Sequence, residues 1–537
     1  MATYLIKNIR YFIFIIVFGM SAACVGVVVQ FLKGSVLDSA LEFDFDSTLV
    51  YILLLFALIA AEIILYWLCL KISNSFVVKC MKDLKCDFFS SLLNQNYIKF
   101  REKSESEYVS TYTKSMEVIE NSWFRTLPIF VEILSRVVFV SAGLFILDWR
   151  LAIVTLFLLS TPIYIPKLIE AKLINSQNKA VASIEKNIEH FTEWMQAFET
   201  IKNFNISSKI RKMYQDSIQN AAHDDLANRN LSTVSRIIMM CISYFSYFIV
   251  IAFSAYLVFD GTFSAGSFFI AIGMIDQLSY PLISLSGLVQ NIVSVKDIAN
   301  NLQPLDANQL EIYPALNSNE KYDSIDFNDS ILFDNVSFSY PESNEKLLSN
   351  FTLKLPKGSK TLITGASGKG KTTLLNLLFS YYQPSKGSVT IDGQNVHNLS
   401  VYHMNTIVRQ EPHLFADTVR NNLTLYSDME DETLIRVLSH VNLQKMANVD
   451  GLNKQIELGG KNLSGGEKKR ISLARALLRN SPILLLDEPL ANLDEANIDS
   501  LEDLILSIKD RTVIVVSHHF SHDKLCAFDY HIDLDEE

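Results

Sequence analysis

Two groups of residues in the last third of this 537-residue chain have the types and spacing to handle phosphate. The first is GASGKGKT, Gly365 to Thr372: a glycine, four residues, then Gly-Lys-Thr. Glycines 365, 368 and 370, set among Ala366, Ser367 and Lys369, let backbone amides curl round phosphate oxygens where a helix begins. Lys371 is then placed to reach β- and γ-phosphates and Thr372 to offer its hydroxyl to Mg2+, with Thr373 next in the same turn. The second group is ILLLDE, an aliphatic strand ending in Asp487, whose carboxylate can hold Mg2+ directly or through water. Glu488 follows at once, placed to polarise an attacking water. Phosphoryl transfer needs positioning and charge neutralisation more than covalent help, so this set suits nucleotide hydrolysis.

The flanking sequence supplies the elements that hold these groups. KTLIT precedes the loop as a strand, and KTTLLNLLF follows it as a helix. ILFDNVSFSY, FTLKLPKGSKTLITG, PILLLDE and TVIVVSH are aliphatic strands alternating with helical stretches. Apolar runs bounded by turns suit strands covered on both faces, so residues 330–537 are expected to form an α/β P-loop domain on a parallel sheet. Residues 302–329 are polar and acidic, with Pro304 and Pro314 as breakers, and read as a linker.

Residues 1–301 are of another kind. The chain is 49% hydrophobic, and its apolar residues gather here in runs that meet the ~20 residues needed to cross a bilayer core. Six such runs, near 11–32, 48–70, 127–147, 150–171, 237–259 and 263–290, predict a six-helix, all-α membrane domain. Lys7 and Arg10 open the first run like a secretion signal. It continues through SAAC to Leu32, well beyond a signal core of about 7–15 residues, so an uncleaved span is expected. Short links near 33–47, 148–149 and 260–262 carry Asp38, Glu42, Asp44, Asp46, Asp148 and Asp260 against Lys33 alone. Long links near 71–126 and 172–236 hold Lys71, Lys79, Lys82, Lys85, Arg101, Lys172, Lys209, Arg211 and Lys212. Basic residues near span ends mark the cytoplasmic side, which predicts a multi-pass membrane protein with both termini in the cytosol. SESEYVSTYTKSMEVIENSW and SIEKNIEHFTEWMQAFETIKNFN lack proline and glycine and space apolar residues by three and four. The long links are therefore expected to be helices that continue out of the membrane.

A formal net charge of −11, from 47 basic and 58 acidic side chains without a basic tract, argues against nucleic acid as a partner. Six cysteines without ligand spacing read as free thiols. Within the spans, Glu62 in LIAAEIILYW and Asp276 with Gln277 in AIGMIDQLSY lie near mid-membrane, where charge is costly and marks a pathway. They are the candidates to line a path for a cationic or hydrogen-bonding solute. Glu132 and Arg136, four apart on one helix, are expected to pair with each other.

LSGGEKKRISLARALLRNSPILLLDEPLANLD, Leu463 to Asp494, resembles the signature-to-Walker-B block of ATP-binding cassette (ABC) proteins. With a membrane domain first and a nucleotide domain second, nearly the whole chain resembles an ABC exporter half-transporter. That resemblance implies ATP and Mg2+ as cofactors and assigns further roles. Tyr340 in VSFSYP is similar to the aromatic that stacks on adenine, and Gln410 in IVRQEPHLF to the Q-loop glutamine that touches Mg2+ and water. Ser464, Gly465, Gly466 and Glu467 correspond to the signature, which faces ATP held by a second half-transporter; Asp494 belongs to the D-loop. His518, rather than its neighbour His519, corresponds to the switch histidine.

The implied activity is ATP-driven export of a drug, lipid, peptide or other small amphipathic cargo across the cytoplasmic membrane. It proceeds by alternating access in a homodimer or heterodimer. An importer on the same fold, and an ATP-dependent membrane sensor that moves nothing, stay open at this point. No Cys/His peptidase domain precedes the first span, so a peptide cargo is expected to be processed elsewhere. Three residues depart from the family pattern: Glu467 where glutamine is usual, Leu490 where threonine is common, and Lys369, an extra cation in the phosphate loop expected to be solvated.

Overall fold

The computed structural model describes residues 2–95, 97–159, 166–278, 288, 327–340, 346–398, 401–491, 493, 495–518 and 520–535. They form two compact units. The first comprises Met1–Leu93 and Ser104–Asp306, and the second Asn94–Lys103 and Ala307–Glu537.

The first unit is helical: α1 (Ile9–Leu41), α2 (Phe45–Leu93), α3 (Thr126–Leu147), α4 (Trp149–Leu159), α5 (Pro166–Gln196), α6 (Ser207–Phe259) and α7 (Ala265–Leu278). Among the described residues four helices are long and apolar enough to cross a membrane by length and composition, Ile9–Leu41, Phe45–Leu93, Glu105–Leu147 and Ser207–Phe259. α4 and α7 are shorter apolar helices, and the expected spans 150–171 and 263–290 lie partly outside the described residues. The 53 residues of α6 make a rod of ~80 Å at 1.5 Å per residue, far more than a ~30 Å hydrocarbon core. This rod supplies the helical extension expected of the second long link. Phe56, Ile63 and Trp67 of α2 all point outward, as suits a helix whose solvent is lipid.

Two details differ from expectation. α1 runs on to Leu41 and α2 begins at Phe45, so the first link is far shorter than 33–47. The stretch SESEYVSTYTKSMEVIENSW is not a uniform α-helix: Thr111–Ser115 and Glu120–Phe124 are π-helical turns. Each such turn inserts a residue into the ladder and re-aims the face that follows.

Small and polar residues bring α1 and α7 together in antiparallel register. A Cβ on Gly26 would lie 3.0 Å from the Glu62 carboxylate and 3.9 Å from Gln277 Nε2. Likewise, Gln30 fills the space beside Gly273, and Gly34 meets Ile270 and Gly266. At the far end Asp38 caps α7, accepting from Gly266 N–H at 2.7 Å and from the Ser264 hydroxyl at 2.7 Å. Such spacing of small residues lets helices approach where no hydrophobic force between them exists. Glu132 and Arg136 pair at 3.3 Å, as their spacing predicts.

The second unit has two sheets. β1 (Ser330–Phe338), β2 (Leu348–Pro356), β4 (Lys386–Ile391) and β5 (Gln394–Asn395) form an antiparallel sheet in the order β2-β1-β4-β5. β3 (Lys360–Thr364), β6 (Asn405–Val408), β7 (Ile483–Asp487), β8 (Thr512–Val516) and β9 (Tyr530–Asp533) form a parallel one, ordered β6-β7-β8-β3-β9. All five residues of β7 and all five of β8 are buried, which explains their unbroken aliphatic sequence. Because β7, β8 and β3 are adjacent and parallel, the residues that leave their C-terminal ends converge on one edge, where open α/β sheets bind ligands.

Candidate functional site

That edge carries most of the residues singled out in the sequence. The phosphate loop leaves β3 and enters α8 (Lys371–Leu378). Gly365, Gly368 and Gly370 have φ of +139°, +86° and +94°, a region that side chains with a Cβ rarely adopt, so the loop can turn tightly only as written. Asp487 is the last residue of β7, and His518 follows β8 after one serine. Glu488 sits at φ +52°, uncommon for a residue with a side chain, and its N–H donates to Val516 O at 2.9 Å. The chain thus turns sharply at the strand end and carries Glu488 into the cleft.

The groups meet in a cleft of about 500 Å³ lined by Tyr340, Leu347, Ser367, Gly368, Gly370, Lys371, Thr372, Thr373, Gln410, Glu488 and His518. Lys371 Nζ donates to the carbonyls of Gly365 (2.7 Å) and Ala366 (2.9 Å) and lies 2.8 Å from His518 Nε2. His518 Nε2 is also 3.2 Å from Glu488 Oε1, so one ring nitrogen accepts from the lysine or donates to the carboxylate according to tautomer. Burial pushes the Lys371 ammonium below its ordinary pKa, against the opposing pull of Glu488, Asp535 and Asp487. A polyanion in the cleft would restore the charged form.

Asp487 is held on both oxygens. Thr372 donates its hydroxyl to Oδ1 at 2.9 Å, and Arg409 donates to Oδ2 at 3.2 Å. A hydroxyl and a carboxylate in contact, with Gln410 in the same cleft, fit Mg2+, which takes few protein oxygens and completes its shell with water and phosphate. Among the described residues no cluster of three or more His, Cys, Asp or Glu could hold a metal. Thr372, Asp487 and Gln410 are the residues that would hold it. The ion would neutralise charge on the phosphates.

The stretch that resembles the signature lies elsewhere. None of Ser464, Gly465, Gly466 and Glu467 lines the cleft, and Ser464 and Gly465 are exposed. Ser464 caps α9 (Gly465–Arg479) in a reciprocal box: Glu467 N–H donates to Ser464 Oγ at 3.2 Å, and Ser464 N–H donates to Glu467 Oε2 at 2.8 Å. Glutamate and glutamine can both close such a box, which accounts for Glu467. Leu490 is buried in the core, where its side chain packs among β7 and α9 residues. Lys369 is exposed, as expected, and has an acidic neighbour. It lies 3.8 Å from Asp535 Oδ1, while the other oxygen of Asp535 accepts from Ala366 N–H at 2.7 Å. Asn492, Asp494 and His519 lie outside the described residues.

Sequence reasoning missed several residues that hold the site. Arg409, the residue before Gln410, reaches Asp487 and Asn376. Lys469 donates to the carbonyls of Glu488 and Ala491, bracing the turn that carries Glu488. Nothing in a lone arginine or lysine signals such a role, because it depends on which strand end the side chain meets. In the first unit, Glu62 and Gln277 both approach Gly26, whereas Asp276 is exposed.

Comparisons with known proteins agree with this geometry. The family profile described as ABC transporter transmembrane region matches residues 12–282, and that described as ABC transporter matches 348–491. The chain is 25% identical to the multidrug resistance-like ATP-binding protein MdlB of Buchnera aphidicola, over 96% of this chain and 88% of that one. It is 24% identical to the ATP-dependent lipid A-core flippase of Photobacterium profundum, over 82% of this chain and 76% of that one. A solved bacterial Atm1-family ABC exporter with ATP bound has the same fold, with a TM-score of 0.79 at 20% identity, covering 96% and 91% of the two chains.

Proposed function

The chain belongs to the ABC transporter family as an exporter-type half-transporter, and from that premise we propose that it hydrolyses ATP to export a small amphipathic cargo as one half of a dimer. The observation that carries this reading is the cleft itself: Tyr340 for the base, Lys371 and the glycine loop for the phosphates, Thr372, Asp487 and Gln410 for Mg2+, Glu488 for the attacking water, and His518 for the γ-phosphate. The signature Ser464–Glu467 stands outside its own chain's cleft and exposes Ser464 and Gly465, which suits a loop that acts on ATP held by the partner. A helix N-terminus with free amides is a fitting cap for a γ-phosphate. We assign residues 1–301 to the membrane domain, 302–329 to a linker and 330–537 to the nucleotide domain, with both termini in the cytosol. Asp494 belongs to the D-loop in this scheme. Glu62, Asp276 and Gln277 line the cargo path in this scheme, Glu62 and Gln277 beside Gly26 and Asp276 exposed. The multidrug and lipid-flippase relatives support an amphipathic cargo.

The test is transport by purified protein in liposomes carrying a fluorescent lipid in one set and a cationic dye in another. ATP-dependent movement out of the cytoplasmic-side compartment, lost in Glu488→Gln, is expected. ATP hydrolysis without movement of either probe would favour a sensor, and movement in the opposite direction an importer.

A further inference from the structure

The cleft's two ends, about a base at Tyr340 and a metal at Asp487, are joined by side chains that no motif accounts for. The short helix Tyr97–Arg101 belongs to the second compact unit. Its Tyr97 ring stacks on Tyr381, with centroids 4.1 Å apart and planes at 18°, and meets Tyr382 edge-on at 6.3 Å and 85°. Arg101 lies over the same Tyr97 ring at 5.5 Å and donates to its hydroxyl at 3.1 Å.

From there the contacts divide. Tyr382 meets Tyr340 edge-on at 5.3 Å and 88°, and Phe338 closes the triangle at 5.0 Å from Tyr340 and 5.7 Å from Tyr382. The Tyr340 hydroxyl is 2.9 Å from Thr373 Oγ1, so the ring is fixed at its tip by the phosphate-loop helix and along its edge by Tyr382. On the other branch, the Arg409 guanidinium lies over Tyr381 at 5.6 Å. Its Nη2 donates to Asn376 at 2.6 Å and its Nη1 to Asp487 at 3.2 Å. A planar guanidinium held by a ring face and an amide has little freedom left, and so fixes the carboxylate it touches.

We propose that Tyr381 and Tyr382 form a fork by which Tyr97 positions both ends of the nucleotide site, Tyr382 setting the ring of Tyr340 and Tyr381 setting Arg409 against Asp487. The proposal rests on the reading of the cleft as an ATP site. Tyr97, Tyr381, Tyr382 and Arg409 are positioning residues: none lines the cleft, and the two branches end on Tyr340, which does, and on Asp487, which holds the cleft residue Thr372. Because Arg409 sets a positive charge on Asp487 Oδ2, it opposes a divalent cation held by the same carboxylate beside Thr372. Loosening that branch therefore strengthens metal binding, while loosening the other weakens binding of the base.

The experiment uses the full-length protein in detergent with two binding readouts. One is affinity for ATP against tripolyphosphate, which lacks a base, both in EDTA. The other is Mn2+ affinity with nucleotide present, followed by electron paramagnetic resonance. Tyr382→Leu should weaken ATP about threefold to tenfold, the range open to one aromatic pair, and leave tripolyphosphate and Mn2+ unchanged. Arg409→Met should tighten Mn2+ about threefold or more, as one charge-assisted contact allows, without altering ATP affinity in EDTA. Tyr97→Ala should do both at once, and Tyr97→Phe, which keeps the ring, should do neither. Equal weakening of ATP and tripolyphosphate by Tyr382→Leu would mean damage to the loop as a whole and would overturn the fork. Indifference of both readouts to Tyr97→Ala would overturn it too, while leaving the ATP site intact. Failure of the unsubstituted chain to bind ATP would instead sink the nucleotide reading and the fork with it.

Discussion

Asp487 and Glu62 are both carboxylates, one buried and one half-buried in its unit, and they are held in opposite ways. Asp487 ends a strand of five buried residues, takes a hydroxyl on one oxygen and a guanidinium on the other, and is itself only 4% exposed. Among the described residues Glu62 makes no hydrogen bond or ion pair; its carboxylate lies against the open side of Gly26, beside Gln277. The nearby Glu132 has its arginine one turn away. In the nucleotide unit, position comes from the strand end and turn, so a local motif is enough to fix it. Within the bundle, position comes from helices brought close by glycine, and the polar group is left available. A carboxylate spared a partner at membrane depth is the kind that meets a cargo.

The largest test of that contrast is at the strand end. Glu488→Gln should lower ATP hydrolysis by about a hundredfold or more, the usual scale for a lost general base, while ATP binding persists; this is read by phosphate release and by equilibrium binding. Loss of binding together with hydrolysis would mean that Glu488 holds the cleft open rather than acting on water. Next comes the packing of α1 on α7. A methyl added by Gly266→Ala would overlap the Gly34 carbonyl and the Asp38 carboxylate, and overpacking costs about 1–3 kcal/mol. The melting temperature of detergent-solubilised protein should fall clearly, whereas an unchanged value would show that the bundle does not depend on this approach.

Smaller effects should separate the two carboxylates more finely. Glu62→Gln should leave basal ATP hydrolysis intact and reduce its stimulation by a cationic dye severalfold, on the order of one lost charge-assisted contact. Equal stimulation in both proteins would remove Glu62 from the cargo path. ATP affinity should also depend on pH through Lys371. Its pKa is lowered by burial, so the ammonium is present below that value, and affinity is lost as pH rises through it, earlier than for an ordinary lysine. Proton uptake on ATP binding at alkaline pH, measured by calorimetry in buffers of different ionisation heat, should be absent in Lys371→Met. Smallest of all, Glu467→Gln should leave hydrolysis within about twofold, because either side chain closes the capping box, whereas Glu467→Ala should destabilise the α9 start by ~1 kcal/mol.

The nucleotide unit was largely legible because its chemistry is local. Gly365 to Thr372 needs one loop conformation, and ILLLDE needs one buried strand, so residue type and spacing identify them. The apolar runs likewise announce helices that face lipid. Less was legible where partners are far apart in the chain. Arg409 lies 78 residues from Asp487, Lys369 lies 166 from Asp535, and no spacing rule connects them. The π turns at Thr111–Ser115 and Glu120–Phe124 were also hidden, since their apolar spacing reads as ordinary helix.

Sequence by itself determined which groups could cradle a polyphosphate and which runs of residues belong in a bilayer, because each depends on residue types set within a short stretch. Only the tertiary structure decided that β7, β8 and β3 end side by side, that Ser464 stands apart from its own chain's cleft, and that Glu62 shares Gly26 with Gln277 while Asp276 does not. Those outcomes depend on strand order and helix register, which arise from burial summed over whole elements rather than from any short run of residues.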